Sequence, residues 1–194
     1  VYGVSTGFGK LADVQIPAGE LQQLQLNLVR SHACGIGRPL SVPEVRAMIL
    51  LRTNVLALGF SGIRLEVIEL LCELLNRGVH PVVPEKGSVG ASGDLAPLAH
   101  LALTLIGEGE AFVDGVGVPG VAALAHAGLS PVALGGKDGL ALFSANAVTV
   151  GRASLVLHDL ADTLDRLDDI VALSYEGFRA NVSPLDVRAQ AARE

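Results

Sequence analysis

Large aromatic side chains are scarce in this sequence, which contains no tryptophan, five phenylalanines and two tyrosines among 194 residues. A core without large rings must be built mainly from leucine, valine and alanine, and leucine and alanine are good helix formers. Half of the residues are hydrophobic, so the chain can bury a core as one domain or as a large part of one. The composition therefore predicts a mainly α fold.

Basic residues are also few, since 14 Lys and Arg stand against 20 Asp and Glu and give a net charge of −6. No basic stripe is available to neutralise phosphates, which argues against a nucleic-acid partner. The two cysteines, Cys34 and Cys72, lie in apolar helical patterns and are expected to be core thiols rather than a disulfide framework.

Targeting and membrane signals are missing as well. The sequence shows no signal-peptide pattern and no uninterrupted apolar run of membrane-spanning length, so we expect a soluble, cytoplasmic protein without a membrane partner. The chain opens without Met inside a motif-like segment, Val1–Gly9, and stops at Arg193-Glu194 in a helix predicted to begin near Pro184. We therefore expect a fragment of a longer protein.

Apolar spacing and capping residues predict most of the secondary structure. Ser41-Val-Pro-Glu44 is a capping box, Gly78 is a typical residue after a helix, and Asp94 is a suitable N-cap. The predicted helices run from Leu21 to the glycines at 35 and 37, from Ser41 to about Leu58, from Ile63 to Arg77, from Asp94 to Leu105, over a short segment ending at Ala127, and from Asp138 to about Tyr175 as one helix with Gly151 as its weak point. His80–Pro84 should be an extended connector, and Glu108–Gly120 a small hairpin.

Several familiar site patterns are absent or incomplete. Gly115–Gly120 matches G-x-G-x-x-G, with Asp138 as the acidic residue to be sought, but the strand and long helix of a dinucleotide site are missing, so a hairpin turn is the better interpretation. The five histidines lack metal-binding spacing, and His126 and His158 are expected on surfaces. Ser92 fails the nucleophile-elbow pattern, because its second glycine comes one position early.

The segment Gly87–His100, GSVGASGDLAPLAH, places small residues directly before a predicted helix. One interpretation is an ordinary sharp turn into the helix, as in many anion-binding loops. The other is a self-modifying tripeptide, in which the Gly93 amide nitrogen attacks the Ala91 carbonyl carbon and Ser92 loses its hydroxyl. Loss of two waters would leave a methylidene-imidazolone, an electrophile made from backbone and placed at the positive end of the helix dipole.

This segment and others resemble the methylidene-imidazolone ammonia-lyases, whose members include histidine, phenylalanine and tyrosine ammonia-lyases. Tyr2–Gly9 is similar to the family's tyrosine-bearing loop, and Ser31–Gly37 to a substrate-side segment. Arg52–Asn54 and Gly59–Arg64 match a further signature, and Gly87–His100 matches the segment that forms the prosthetic group. These segments keep the family order across the whole chain, which the resemblance would identify as the N-terminal half of such an enzyme.

The resemblance implies roles for individual residues. Ala91, Ser92 and Gly93 would form the prosthetic group, and Tyr2 would be the base that removes the β-proton of the substrate. A loop-packing aromatic is the alternative for Tyr2. His32 would bear on substrate choice, since an imidazole can hydrogen-bond another imidazole or a phenol. The alternative for His32 is a helix-face histidine near a helix C-terminus.

Two departures from the family pattern leave the substrate open. The family usually carries Asn-Gly-Thr before the long helix, with the Asn contacting the prosthetic group, whereas this chain has Ser144-Ala145-Asn146 there. Either Ser144 or Asn146 could supply that hydrogen bond. Ser5 stands where histidine-specific members often have Asn.

The resemblance thus implies a mainly α fold, a helical bundle with a small N-terminal lobe that carries the active-site loops, as in the fumarase/aspartase-like ammonia-lyases. The lobe would span about 1–110 and the start of the central bundle about 111–194. The implied activity is elimination of ammonia from an aromatic amino acid, first L-histidine to trans-urocanate, in a homotetramer with shared active sites and without metal or nucleotide. Tyrosine or phenylalanine ammonia-lyase and a 2,3-aminomutase are alternatives, and a non-catalytic helical oligomerisation module is another.

Overall fold

A computed structural model describes residues 1–192 of the chain, and it is dominated by helices. The α-helices are α1 (Leu21–His32), α2 (Val42–Ala57), α3 (Leu65–Asn76), α4 (Leu95–Leu105), α5 (Gly120–His126), α6 (Asp138–Phe143), α7 (Ala147–Gly177) and α8 (Val187–Ala191). The strands are β1 (Ile36–Pro39), β2 (His80–Pro81), β3 (Pro84–Lys86), β4 (Glu110–Val113) and β5 (Val116–Pro119). The mainly α fold class is confirmed.

Two small antiparallel sheets accompany the helices. β1 pairs with β3, and β2, β4 and β5 form a three-stranded sheet in that order. Val113 pairs with Val116 across the β4–β5 hairpin, which occupies the predicted hairpin segment. The G-x-G-x-x-G match falls on the turn and second strand of this hairpin. The predicted extended connector is also confirmed, because it contributes β2 and the first residue of β3.

The chain divides into two compact units, Val1–Arg152 and Ala153–Glu194. In the first unit α4 is central, because eight of its eleven residues are buried. It packs against α1 and α6, and these contacts bury Leu98, Leu101 and Leu105 completely. The predicted capping box at the start of α2 is present, with the Ser41 amide donating to the Glu44 carboxylate at 2.8 Å. Gly78 follows α3 at φ +67°, as predicted for a residue after a helix.

Three sequence expectations were wrong. The segment expected to be one helix from Asp138 is two helices, α6 and α7, separated at residues 144–146. The first helix ends at His32, before its glycines, because the following residues form β1. Cys34 and Cys72 are exposed thiols, since Cys34 lies in the turn after α1 and Cys72 on the face of α3 opposite its buried leucines.

In the second unit, the helix predicted to begin near Pro184 is a 3-10 turn at Ser183–Leu185 followed by α8. Its predicted end at residues 193–194 lies outside the described residues. Taken together, α6, the break after it and α7 (Asp138–Gly177) meet the length and composition of a membrane span, and 33% of their most apolar window is buried. Core helices of soluble proteins meet the same criterion, so this finding alone carries little weight.

Candidate active site

The loop between β3 and α4 has the backbone freedom that its glycines predict. Gly87, Gly90 and Gly93 all adopt positive φ, at +147°, +68° and +107°, which side chains other than glycine rarely tolerate. Ala91 and Ser92 lie exposed between the last two of these glycines. The tripeptide is therefore held on the surface of the first unit, directly before α4.

Gly93 packs against the backbone that separates α6 from α7. A Cβ atom built on Gly93 would lie 2.5 Å from the Ala145 carbonyl carbon and closer still to its oxygen. The next amide, that of Asp94, donates to the same Ala145 oxygen at 2.6 Å. The loop and the interhelical break are thus docked together through main-chain atoms, and only glycine fits at position 93.

The buried Asp94 carboxylate fastens this docking. Its Oδ1 accepts hydrogen bonds from the Ser88 and Thr149 hydroxyls, each at 2.7 Å, and its Oδ2 accepts from the Thr149 amide at 2.8 Å. Thr149 is the third residue of α7, so the carboxylate lies at the positive N-terminal end of that helix. Asp94 stands in the N-cap position of α4, as predicted, but its side chain caps α7 instead.

Arg52 supports the other side of the break. Its buried guanidinium donates from Nε to the Leu142 carbonyl at 3.1 Å and from a second nitrogen to the Ala141 carbonyl, both near the C-terminus of α6. Burial lowers the pKa of Arg52 from its ordinary value. A cavity of about 330 Å³ lies beside it. The lining residues of that cavity are Leu51, Arg52, Asn54, Val55, Ser144, Ala145, Asn146, Ala147 and Val150.

The N-terminus of α6 is fixed by an ion pair between a buried carboxylate, Asp138, and a partly exposed arginine, Arg64. The Asp138 carboxylate accepts from Arg64 Nε and from the Gly135 amide, each at 2.7 Å, and the hydrogen bond from Arg64 raises the pKa of that guanidinium. Asp138 is fully buried. Its role here is to anchor Arg64, which excludes it as the exposed ribose ligand that a dinucleotide site would need.

The Tyr2 loop lies against α6 as well. Gly3 adopts φ +74° and its Cα approaches the Leu140 side chain of α6, while the Gly3 carbonyl accepts from Gln25 at 3.5 Å. Gln25, which is fully buried, also accepts from the Gly139 amide at 3.0 Å. The Tyr2 ring is half-exposed and makes an edge contact with Phe8. Its hydroxyl accepts a long hydrogen bond, 3.4 Å, from the Gly9 amide.

His32 is the last residue of α1 and stacks on Phe143, the last residue of α6, with ring centroids 4.9 Å apart and planes inclined by 22°. Its Nδ1 lies 2.8 Å from the Leu28 carbonyl oxygen. A carbonyl can only accept, so the neutral ring carries its proton on Nδ1 and leaves a lone pair on Nε2.

The segment after His32 is held by α4. The Gly35 amide donates to Nε2 of the half-buried His100 at 3.1 Å. Gly35 also lies against β3, since a Cβ atom on it would be 3.2 Å from the Lys86 carbonyl oxygen. The Cα of Gly35 would be 3.0 Å from a Cβ on Gly87, at the start of the glycine-rich loop.

The six-residue helix α6 and the break after it thus contact every predicted site segment. The tripeptide meets Ala145, the Tyr2 loop meets Leu140, and His32 meets Phe143. Within the described residues, no hydrogen bond or ring contact joins Tyr2 or His32 directly to Ser92. The roles that the resemblance implies for Tyr2, His32 and Ser92 require all three to face one cavity, and this stays a prediction.

Arg52, Asp94, Gln25, His100 and Thr149 were not predicted as part of the site. For Arg52, Asp94 and His100 a signal was present, since each lies inside a family-like segment. A buried arginine or aspartate in such a segment must find partners, but the partners on α6 and α7 lie 55 to 90 positions away in the sequence. No local pattern identifies those partners.

The tripeptide has the freedom that backbone cyclisation requires. Among the residues that the structure describes, neither the Ser92 hydroxyl nor the Gly93 amide forms a hydrogen bond, so neither group is committed elsewhere. The exposure of Ala91 and the absence of a side chain at position 93 leave the ring-closing atoms unhindered. The residues present therefore fit a methylidene-imidazolone.

Comparison with known proteins places these segments in one family. The model of the family described as aromatic amino acid lyase matches residues 1–194, the whole length of the chain. The chain belongs to the aromatic amino acid lyases. The segments that resemble the family in the sequence are among those gathered around α6.

Individual aromatic amino acid lyases and their structural relatives cover the whole chain. The chain is 50% identical over 193 residues to a histidine ammonia-lyase of Geobacillus kaustophilus, a match that includes 100% of this chain and 38% of that protein. The histidine ammonia-lyase structure of Trypanosoma cruzi superposes with a TM-score of 0.90 at 38% identity, over 100% of this chain and 38% of that one. The phenylalanine aminomutase of Pantoea agglomerans superposes with a TM-score of 0.94 at 33% identity, over 99% of this chain and 37% of that one. The chain thus spans less than two fifths of the length of these relatives.

Proposed function

We propose that this protein is an ammonia-lyase that eliminates ammonia from an aromatic L-amino acid, with L-histidine and its product trans-urocanate as the first choice. The observation that carries the proposal is the Ala91-Ser92-Gly93 tripeptide, with Ala91 and Ser92 exposed and Gly93 docked on Ala145, in a chain of this family. About 1–110 would carry the site loops and about 111–194 would begin the helical bundle.

The cofactor in this proposal is 4-methylidene-imidazol-5-one, formed from Ala91, Ser92 and Gly93 without metal or nucleotide. This group, when formed, supplies an electrophile for the amino acid substrate. Gly93 and Asp94 hold the tripeptide against the break after α6, and the N-terminus of α4 directs its partial positive charge toward the loop. Ser144 and Asn146, both exposed beside the 330 Å³ cavity, are the side chains proposed to hydrogen-bond at this point.

Tyr2 is the proposed base for the β-proton. Such a C–H bond is barely acidic, so a base succeeds only where an electrophile has already drawn electrons from the substrate. The Tyr2 hydroxyl is half-exposed and engaged only by the long bond from Gly9, which leaves it available to a bound molecule.

His32 is the proposed determinant of substrate side chain. Its Nε2 lone pair can accept a hydrogen bond from an imidazole N–H or a phenol O–H, whereas a phenyl ring has no donor to offer. The stacking on Phe143 and the bond to Leu28 fix the ring plane, so the acceptor has a defined direction. This arrangement favours histidine or tyrosine over phenylalanine.

A 2,3-aminomutase is the second candidate, because an aminomutase is among the similar structures and because Ser144-Ala145-Asn146 replaces the usual family triplet. The products separate the two activities. A lyase releases ammonia and an unsaturated acid, whereas an aminomutase returns a β-amino acid. The whole protein is proposed to be cytoplasmic and to act as a homotetramer with shared active sites.

The test is peptide mass spectrometry of the full-length protein together with product analysis. The peptide that contains Ser92 should be lighter by two waters in the wild type and unchanged in Ser92→Ala. Ser92→Ala should fold normally, because the substitution removes only an exposed hydroxyl that has no partner. Its turnover should fall by orders of magnitude. Ser88→Ala changes the other serine of the loop, whose hydroxyl donates to Asp94, and it should keep the mass change because the tripeptide is intact.

Near wild-type turnover by a well-folded Ser92→Ala protein would overturn the prosthetic-group proposal. An unmodified Ser92 peptide in an inactive wild type would instead favour a non-catalytic helical oligomerisation module.

A further inference from the structure

One side chain, that of His100, links α4 to the substrate-side segment Ser31–Gly37. His100 lies in the second turn of α4, the helix that starts immediately after the glycine-rich loop. Its Nε2 accepts a hydrogen bond from the Gly35 amide at 3.1 Å. Gly35 lies three residues after His32 in the sequence. A single imidazole thus connects the helix that follows the Ser92 loop with the segment that carries His32.

The surroundings of Gly35 leave little room for adjustment. A Cβ on Gly35 would be 3.1 Å from His100 Nε2, 3.2 Å from the Lys86 carbonyl and 3.2 Å from the Pro84 Cβ. Gly35 is therefore enclosed by α4 on one side and by β3 on the other. The hydrogen bond to His100 is the directional contact in this close packing.

We propose that His100 is a positioning residue, whose neutral imidazole holds the Gly35 amide and so sets the distance between the His32 segment and the Ala91–Gly93 loop. The proposal rests on the proposed function for its catalytic readout. His100 does not touch the reacting atoms; it acts through the backbone of the substrate-side segment.

The protonation state of His100 decides whether this bond exists. A protonated imidazole carries a hydrogen on both nitrogens, so Nε2 could no longer accept from the Gly35 amide and two donors would face each other. Burial lowers the pKa of His100, which keeps the ring neutral at physiological pH.

Burial is the cause of the lowered pKa of His100, and no ionisable side chain contributes to it. α4 itself has no other ionisable residue, and Asp94 before it is engaged by Ser88 and Thr149. The ionisable residues on the elements that pack most closely against α4 are Arg30 and His32 on α1, Glu66, Glu69, Cys72 and Glu73 on α3, His126 on α5, Asp138 on α6, His80 on β2, and Glu85 and Lys86 on β3.

Two amide variants of the full-length protein separate the position of the hydrogen-bond acceptor from the polarity of the side chain. His100→Gln places an acceptor oxygen at about the reach of Nε2, and it cannot titrate. His100→Asn has the same chemistry, but its oxygen ends near the position of Nδ1 and falls short of Gly35. His100→Phe keeps the ring volume and removes the acceptor.

At neutral pH we expect His100→Gln to retain kcat/KM within about threefold, and His100→Asn and His100→Phe to lose about tenfold, the effect of one hydrogen bond. The loss should appear mainly in KM, because the displaced segment carries the residue that meets the substrate side chain. In acid, the wild type should lose activity relative to His100→Gln at the same pH, since only the wild type has an imidazole at this position.

Hydrogen–deuterium exchange of the peptide that contains Gly35 supplies a readout independent of activity. Exchange should be slow in the wild type and His100→Gln, and faster in His100→Asn and His100→Phe. Equal exchange in all four proteins, or a His100→Gln protein as impaired as His100→Asn, would overturn the proposal. If no protein turns over any aromatic amino acid but the exchange pattern holds, the proposed function fails and the positioning role stands. If His100→Asn and His100→Phe do not fold, the proposal is decided by exchange and acid activity in the wild type and His100→Gln, and identical acid profiles would then overturn it.

Discussion

At the scale of single residues, Gly93 carries two separate constraints. Its φ of +107° demands glycine for the backbone, and the Ala145 main chain excludes a Cβ at the same position. Gly90 shares the positive φ, at +68°, but nothing lies within 4 Å of the place where its Cβ would be. The two glycines thus share a positive φ but differ in packing.

This difference predicts the outcome of two alanine substitutions. Gly93→Ala should lower the free energy of unfolding by about 2–4 kcal/mol, because strain and overpacking add, whereas Gly90→Ala should cost about 1 kcal/mol through strain alone. Urea denaturation of both variants measures the difference. Equal losses would show that the contact with Ala145 is relaxed in solution. Lost activity in Gly93→Ala therefore reports displaced packing as well as hindered cyclisation.

The same scale holds a prediction for His32. His32→Leu removes the Nε2 acceptor and should move the ranking of kcat/KM from histidine or tyrosine toward phenylalanine, by about tenfold or more, since an unpaired polar group discriminates strongly. Steady-state assays with the three amino acids give the ranking. An unchanged order would contradict the assignment of His32 to the substrate side chain.

At the scale of elements, the short helix α6 is held at both ends by groups from elsewhere in the chain. Arg64 pairs with Asp138 at its start, and Arg52 binds carbonyls near its end. One turn further, Asp94 caps α7. A six-residue helix is not stable by itself, so these contacts define where it begins and ends.

The contact in which Asp94 caps α7 can be tested by replacing one carboxylate oxygen. Asp94→Asn keeps the shape of the side chain but replaces one acceptor of a buried, three-bonded carboxylate with a donor, so we expect a loss of about 1–3 kcal/mol in the free energy of unfolding. Asp13→Asn is the matched control, because Asp13 is exposed, and it should change stability by less than about 0.5 kcal/mol. Chemical denaturation of the two proteins supplies the comparison, and similar values for both would contradict a capping role.

At the scale of the whole molecule, two partly buried histidines make stability depend on pH. The pKa of His100 is lowered by burial, and the pKa of His80 is lowered by burial and, secondarily, by the charge of Arg46. The native state therefore binds fewer protons than the unfolded state in mild acid. Their contribution to stability is full above the ordinary histidine pKa of about 6.5 and falls as the pH drops below it.

When the pH is lowered from about 8 to about 5.5, the thermal midpoint should accordingly decrease by more in the wild type than in a His80→Gln/His100→Gln protein. The control is His126→Gln/His158→Gln, which changes two exposed histidines and should follow the wild type. Scanning calorimetry at both pH values provides the midpoints. Parallel shifts in all three proteins would contradict the assignment.

The parts of this fold that follow from local chemistry were predictable. The capping box at Ser41, the glycine after α3 and the β4–β5 hairpin each depend on residues within a few positions of one another. The break between α6 and α7 depends instead on Arg52 and Asp94, so apolar periodicity alone predicted one continuous helix. The candidate site residues were identified by resemblance, whereas the contacts that arrange them come from partners distant in sequence.

The docking of the glycine-rich loop has a consequence for how such chains diverge. Asp94 and Gly93 meet Ala145 through its peptide group, and a peptide group is the same whatever side chains flank it. A lineage can therefore exchange Ser144 and Asn146 for other residues while the loop keeps its place. Residues 144 and 146 are therefore positions at which the chemistry beside Ala145 can be changed without rebuilding the main-chain contacts that hold the loop.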